Sequence, residues 1–205
     1  MRKTLLLALI ALSIGAQAQE IQTVFGGGGA YGGYGVLRNK FTTIDGQFAN
    51  FNEIYGGVFV NHKFMLGIGG GATTNHIRVP ESERFIDSEG LSYGYGQFGL
   101  MTEFVVASSK AIHVTFELMA GPGFTYQYHR YPWDNYDTNY EWRDHEFKWA
   151  TVIEPGAQVE LNLLRWMRFS TGVSYRKVID SHSDYLTDSK LSGLSLNVGL
   201  KFGKF

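Results

Sequence analysis

Apolar and polar residues alternate along most of the chain, and a period of two is typical of β-strands with one apolar and one polar face. Between residues 194 and 202 the even-numbered positions are all apolar, whereas the odd-numbered ones hold Ser, Asn, Gly and Lys. Five other segments repeat this alternation, and two glycine-rich segments near the start are β-like without a clear facing. The predicted strands cover residues 24–37, 51–61, 64–74, 98–106, 112–128, 147–163, 167–176 and 194–202.

The connections between these strands alternate in length. Tight turns are predicted near residues 61–63, 108–110 and 164–165, and long polar loops are predicted over residues 38–50, 78–90, 129–145 and 180–190. An even number of strands suits an antiparallel sheet that closes on itself with both termini at one end. The pattern therefore predicts an all-β fold, an eight-stranded antiparallel up-and-down β-barrel with short turns at one end and four long loops at the other.

The first residues have the pattern of an export signal. A basic pair at residues 2–3 precedes an apolar run over residues 5–12, and the sequence Ala-Gln-Ala at 16–18 matches a small-x-small cleavage site. The run is too short for a transmembrane helix, which needs about 20 apolar residues. We predict a signal peptide over residues 1–18 that is removed on export, followed by a barrel domain over residues 19–205.

Composition narrows the classes of function. The chain has no cysteine, which excludes disulfides, thiol catalysis and cysteine-bound metals. Without the two basic residues of the predicted signal peptide, 16 basic residues stand against 19 acidic ones, and this balance gives no support to nucleic-acid binding. Charged residues make up only 18% of the chain and glycine accounts for 26 of its 205 residues, which favours tightly curved β-structure with a large apolar surface.

Alternation leaves open which face of the strands points outward. A soluble lipocalin-like barrel has apolar side chains inside, and a membrane barrel has them outside. The membrane arrangement is favoured because glycines share the polar face with charges that are able to pair across a narrow lumen, and because aromatic residues recur near both strand ends. The predicted lumen charge network comprises Glu103, Glu117, Glu154, Glu160, Lys148, Arg168, Arg176 and Lys201. The predicted aromatic girdles comprise Tyr126, Phe147, Trp149 and Tyr175 at the loop end, and Phe64, Phe104, Phe169 and Phe202 at the turn end.

The export signal, the eight alternating strands, the long loops and the final aromatic residue, Phe205, resemble the small bacterial outer-membrane β-barrel family, the group around OmpX, OmpW and the OmpA membrane domain. The resemblance covers residues 20–205. It implies a monomer in the outer membrane of a Gram-negative-type bacterium, in contact with outer-membrane lipid and lipopolysaccharide. In that family the last strand and its terminal aromatic residue are the signal for the barrel-assembly machinery, and Phe205 matches this assembly signal. Phe205 is one residue out of phase with the apolar positions of the last predicted strand.

Two prolines interrupt consecutive predicted strands. Pro122 lies between two glycines, and Pro155 precedes another glycine. Each proline removes a backbone donor, and a closed barrel has no edge strand that would tolerate the loss. One interpretation is a lateral seam through which a small hydrophobic molecule passes between the lumen and the membrane. The other is a pair of bulges that bend the barrel wall, and it is favoured because small barrels need curvature.

The third predicted loop is rich in aromatic residues beside carboxylates. Such a surface is suited to bind sugars, cations or proteins, but the same side chains also stabilise extended β-hairpins through cross-strand pairs. The candidate surface-loop binding residues are Tyr131, Trp133, Tyr136, Tyr140 and Trp142.

The sequence offers little that points to catalysis. His182 lies between Ser181 and Ser183, but neighbours on an extended chain point apart and make poor catalytic partners. The acidic loops lack calcium-binding spacing, and a wide pore needs about 16 strands. We therefore predict a non-enzymatic barrel without metal or cofactor, with a role in envelope integrity, adhesion or surface binding. The alternatives are a narrow conduit through the proline seam and a soluble exported lipocalin-like binder.

Overall fold

The computed structural model describes residues 31–60, 63–84, 90–129 and 147–205. Within them, eight antiparallel strands close into one barrel in which each strand pairs with its neighbours in sequence and the last pairs with the first. The strands are β1 (Tyr31–Ile44), β2 (Gln47–Val60), β3 (Phe64–Thr73), β4 (Leu91–Val106), β5 (Ile112–His129), β6 (Lys148–Leu164), β7 (Met167–Ile179) and β8 (Gly193–Lys204). The predicted eight-stranded up-and-down barrel is confirmed. The predicted signal peptide lies outside the described residues.

The prediction of four long loops is wrong at the first connection. β1 and β2 pair without interruption as far as Ile44 and Gln47, and only Asp45 and Gly46 join them. Both turn residues have positive φ, 50° and 71°, as a two-residue hairpin turn of the Asp-Gly type requires. Apart from these two turn residues, the segment predicted as a loop over 38–50 is therefore barrel wall, and long connections follow β3, β5 and β7.

The outer face of the barrel is apolar and the inner face is polar. On β8, Leu194 and Leu196 are 69% and 61% exposed, whereas Ser195 and Asn197 are 2% and 1% exposed. The same inversion settles the facing of the first two strands, because Arg38 on β1 and Glu53 on β2 are buried inside the barrel and the adjacent Leu37 and Ile54 are exposed on its outside. An apolar outer belt is unfavourable in water and favourable in hydrocarbon, so this surface suits a membrane. The lipocalin-like alternative required the opposite facing and is wrong.

Two facing glycines allow β2 and β3 to approach closely. Gly57 pairs with Gly67, and a Cβ atom added to Gly57 would lie 2.3 Å from the carbonyl oxygen of Leu66 and 2.6 Å from the Cα atom of Gly67. Backbone atoms of a closed sheet have no room to move aside. Glycine is therefore required here by the distance between the strands rather than by backbone conformation.

Two short helical segments lie at the end of the barrel that carries the long connections, called the loop end below. A 3₁₀ turn covers Glu81–Glu83 after β3, and α1 covers Asp188–Leu191 between β7 and β8. In the described part of the chain, no helix has the length and apolar character needed to cross a membrane. The start of β1, the end of β8 and the short connections β2–β3, β4–β5 and β6–β7 lie at the opposite end, called the turn end.

Candidate functional site: a charged lumen beneath a loop cap

The upper part of the lumen is crossed by ion pairs that start from β1. Arg38 donates hydrogen bonds to Glu53 on β2 and, at 2.6 Å, to Glu117 on β5. Lys40 Nζ lies 2.8 Å from Glu53 and 2.8 Å from Glu154 on β6. Because these partners come from different sides of the barrel, the side chains bridge the lumen instead of lining it.

A second group of ion pairs lies nearer the turn end. Lys201 Nζ on β8 lies 2.7 Å from Glu103 and 2.7 Å from Glu160. Glu160 also contacts His113 at 3.0 Å and Arg168 at 3.4 Å. The hydroxyls of two inward tyrosines, Tyr34 and Tyr55, donate to Glu103.

Ion pairing explains how so many ionised groups remain inside a narrow barrel. Five carboxylates, from Glu53, Glu103, Glu117, Glu154 and Glu160, pair with the four cations of Arg38, Lys40, Arg168 and Lys201. All nine side chains are at most 7% exposed. A buried charge is tolerated only when it is paired and hydrogen-bonded. These nine side chains form a charged layer that spans the lumen at this level.

Six of the eight residues predicted for this network lie within it. Of the other two, Arg176 instead donates to the carbonyl oxygens of Leu191 and Thr43, and Lys148 is half-buried at the loop end of β6. The sequence prediction missed Arg38, Lys40, Glu53 and His113. The first two were missed because their segment was predicted as a loop, and the Asp-Gly pair that closes the first hairpin was the available signal.

Apolar side chains from two connections and from the adjoining strand ends cover the loop end of the lumen. The buried residues of this loop cap are Ile44, Ile77, Val79, Leu91, Val178, Leu186 and Leu191. Arg176 lies below them, 1% exposed, with its guanidinium 4.8 Å from the ring centre of Tyr95. Because Arg176 donates to the carbonyl oxygen of Leu191 at 2.7 Å, it holds α1 over the mouth of the barrel.

An ion-pair latch joins the three described connections at the rim of the cap. Lys190 Nζ lies 3.0 Å from Asp45 in the first turn and 3.0 Å from Glu83 in the connection after β3. The hydroxyl of Tyr93 also donates to Glu83. Burial raises the pKa of Glu83, but the hydrogen bonds from Tyr93 and Lys190 outweigh burial and lower it. Hydrogen bonds to Glu83 and Asp45 raise the pKa of Lys190.

These pKa shifts predict that the latch holds the cap over a limited pH range. The lowered pKa of Glu83 gives stability above the ordinary value of 4.5 that is lost as the pH falls through the folded-state pKa. The raised pKa of Lys190 gives stability below the ordinary value of 10.5 that is lost as the pH rises through the folded-state pKa. We expect methyl NMR signals of Leu186 and Leu191 to broaden in acid, and Lys190→Met to broaden them at neutral pH. Unchanged methyl dynamics from neutral pH into acid would contradict this role of the latch.

The two prolines weaken two different ladders. Pro122 pairs with Thr151 of β6, but its pairing with β4 is interrupted between Gln97 and Leu100. Pro155 pairs with Leu118 of β5, but the β6–β7 ladder is interrupted beside it. The backbone N–H group that Pro122 lacks would face β4, and the one that Pro155 lacks would face β7. The β5–β6 ladder between them remains continuous. This geometry does not bring the prolines together in a common seam.

Replacing either proline with a residue that has a backbone N–H group should stabilise the barrel, and the two effects should be independent of each other. We expect Pro122→Ala and Pro155→Ala each to raise the free energy of unfolding by about 1 kcal/mol, since each returns one ladder hydrogen bond. The double variant should show the sum of the two effects, because the sites share no partner. Denaturant unfolding in detergent micelles measures the free energy of unfolding of the two single variants and of the double variant. Strong coupling between the two substitutions would instead indicate one shared opening.

The terminal aromatic residue points into the barrel. The ring of Phe205 lies 5.2 Å from that of Tyr34, and the guanidinium of Arg168 lies 3.8 Å from its centre. Phe202 faces outward and stacks on Trp166 at 6.2 Å. The one-residue phase difference seen in the sequence thus corresponds to an inward-turned Phe205.

The remaining candidates lie in the long connections. His182 Nδ1 contacts the carbonyl oxygen of Trp149 at 3.1 Å, and the hydroxyl of Ser181 donates to the carbonyl oxygen of Leu186. Ser183 accepts a hydrogen bond from the backbone of Leu186, so these three side chains contact backbone groups. The candidate binding residues Tyr131, Trp133, Tyr136, Tyr140 and Trp142 lie outside the described residues.

Solved structures that resemble this barrel are outer-membrane proteins. Neisserial surface protein A matches with a TM-score of 0.58 at 9% identity, covering 87% of this chain and 100% of that one. The N-terminal barrel domain of Pseudomonas aeruginosa OprF matches with a TM-score of 0.51 at 7% identity, covering 85% and 98%. A major outer membrane protein of Thermus thermophilus matches with a TM-score of 0.51 at 10% identity, covering 85% and 99%. These similarities show a shared fold.

Comparison with the curated proteins found no match to this sequence. The family model described as the outer membrane protein beta-barrel domain matches residues 4–202. That match spans nearly the whole chain and agrees with the apolar outer belt and the charged lumen. This chain therefore belongs to the outer membrane protein beta-barrel domain family.

Proposed function

We propose that this protein is a non-enzymatic outer-membrane barrel that acts through its surface loops and conducts no solute. The observation that carries the proposal is the charged layer, which bridges the lumen from seven strands beneath an apolar cap. Buried side chains held by several ion pairs each are costly to displace. A barrel closed in this way leaves its exposed loops as the part available to partners.

The aromatic and acidic segment between β5 and β6 is the best candidate for contact with an extracellular partner. Its five aromatic residues lie among four carboxylates over residues 131–144, and exposed aromatic residues are enriched at binding surfaces. A sugar or glycoprotein partner suits this composition, because aromatic faces stack on sugars and carboxylates accept hydrogen bonds from hydroxyls. A role in envelope integrity requires only the folded barrel in the membrane.

The conduit for small hydrophobic molecules is less well supported. It needs an open path from the lumen to the membrane, and the two proline-weakened ladders lie on opposite sides of the β5–β6 pair. Catalysis is also less well supported, because the serines beside His182 contact backbone groups.

Binding of whole cells tests the proposal. Cells that express the protein are applied to immobilised glycans and extracellular glycoproteins, beside cells with the empty vector. We expect binding above the empty vector, lost in a Trp133→Ala, Trp142→Ala double variant. Tyr185→Ala, which removes an exposed aromatic residue from the connection after β7, is the matched control and should bind normally. Equal binding by wild-type and empty-vector cells on every surface would overturn the surface-binding role.

A further inference from the structure

A cavity lies at the turn end, apart from the loop cap. Its volume is about 520 Å³, and it is lined by Asn162, Leu163, Leu164, Arg165, Arg168 and Phe205. The β6–β7 ladder shifts register between Asn162 and Leu164, which leaves an extra residue in the wall at this point. Such a bulge bends the strand locally and commonly marks a functional position. The cavity therefore occurs where the rim of the barrel is irregular.

Two buried polar atoms of the cavity lining have no hydrogen-bond partner. They are Nε of Arg168, whose side chain is 7% exposed, and Oδ1 of Asn162. The amide of Asn162 is oriented by its Nδ2, which donates to the carbonyl oxygen of Lys110 at 3.0 Å. One unmatched donor and one unmatched acceptor thus belong to residues that line the same cavity. A ligand that supplies both an acceptor and a donor would remove the cost of leaving them unpaired.

The turn end around this cavity is positively charged. Lys63, Lys110, Arg165 and Lys204 are exposed there. The described residues of the turns, 63, 107–111 and 165–166, and residues 202–205 contain no aspartate or glutamate. This local field favours an anionic group, and a guanidinium pair binds phosphate oxygens well. We therefore expect the acceptor that pairs with Nε of Arg168 to be a phosphate oxygen.

The position of the cavity relative to the membrane identifies the source of that phosphate. Trp166 follows Arg165 directly, is 55% exposed and stacks on the outward ring of Phe202. Exposed tryptophans at the end of an apolar belt lie at the level of lipid headgroups. Arg165 is therefore placed where headgroup phosphates are found, with the outward Leu163 beside it in the apolar belt.

We propose that this cavity is a binding site for the headgroup of a membrane phospholipid. The phosphodiester accepts hydrogen bonds from Arg165 and from Nε of Arg168. The alcohol part of the headgroup, through a hydroxyl or an ammonium group, donates to Oδ1 of Asn162. The acyl chains lie along the outer wall beside Leu163 and Trp166. Phosphatidylglycerol and phosphatidylethanolamine satisfy this requirement, whereas phosphatidylcholine has no donor in its headgroup.

Native mass spectrometry of the detergent-purified barrel, titrated with single phospholipids, tests the site. We expect one phosphatidylglycerol bound per barrel, with about tenfold weaker binding for Arg165→Gln because one charge-assisted contact is lost. Lys63→Gln removes another exposed cation, one that does not line the cavity, and should leave binding unchanged. Asn162→Leu should abolish the preference for phosphatidylglycerol over phosphatidylcholine.

Three outcomes would overturn the proposal. Equal weakening by Lys63→Gln and Arg165→Gln would mean diffuse attraction by the charged end. Equal binding of phosphatidylcholine by the wild type would remove the role of Asn162. Displacement of the lipid by an equal concentration of inorganic phosphate would assign the cavity to a free anion. None of these results bears on the surface loops, so this test and that of the proposed function fail independently.

Discussion

Replacing Arg38 with methionine is expected to lower the free energy of unfolding by about 3–5 kcal/mol, the usual cost of removing one partner of a buried ion pair. Arg38 contacts both Glu53 and Glu117 with its side chain 1% exposed, so the substitution leaves two buried carboxylates short of a cation. Equilibrium urea unfolding in phospholipid vesicles, followed by tryptophan fluorescence, measures the loss.

Two further variants separate charge from shape at this position. Arg38→Lys keeps the charge but not the forked geometry that reaches two carboxylates, and should cost less than Arg38→Met. Adding Glu117→Gln to Arg38→Met should recover part of the loss, because it removes one unpaired charge. A stability of Arg38→Met within 1 kcal/mol of the wild type would mean that water, not ion pairing, compensates the lumen carboxylates.

Replacing Gly57 with valine is expected to prevent the barrel from closing. The new Cβ atom would lie within 2.6 Å of backbone atoms of β3, a conflict well beyond ordinary overpacking, which costs about 1–3 kcal/mol. We expect the variant to lack the shift in electrophoretic mobility between unboiled and boiled samples that a closed barrel shows.

The matched control is Gly35→Val on the neighbouring strand. Gly35 faces outward, and the nearest atom to its added Cβ is the carbonyl oxygen of Tyr55 at 3.9 Å, an ordinary contact distance. The same change of residue should therefore leave the mobility shift intact. Normal closure of Gly57→Val would mean that β2 and β3 lie further apart than the Gly57–Gly67 contact indicates.

Alternation predicted the barrel because the membrane and the lumen impose opposite polarity on successive residues. The prediction for β8, residues 194–202, falls within Gly193–Lys204, since every outward residue from 194 to 202 is apolar. β4 begins earlier than predicted, at Leu91, because Gly94 and Gly96 have no side chain to continue the pattern. The rings of Tyr126 and Phe124 cover these two glycines instead.

The pairing of charges across the lumen was beyond the reach of sequence analysis. Lys40 meets Glu154 across 114 residues, and Lys201 meets Glu103 across 98 residues. Which inward residues meet depends on the stagger of the closed sheet, and no local pattern encodes that stagger. The cavity at the turn end depends on the bulge between Asn162 and Leu164, which also has no sequence signal of its own.

Electrical recording across a planar lipid bilayer tests whether the ion pairs that bridge the lumen close this outer-membrane barrel to solutes. After insertion of the purified wild-type protein in concentrated potassium chloride, we predict no conductance steps above the bare bilayer at neutral pH. Stable, reproducible steps from the wild-type protein would show an open path through the charged layer and would contradict the account.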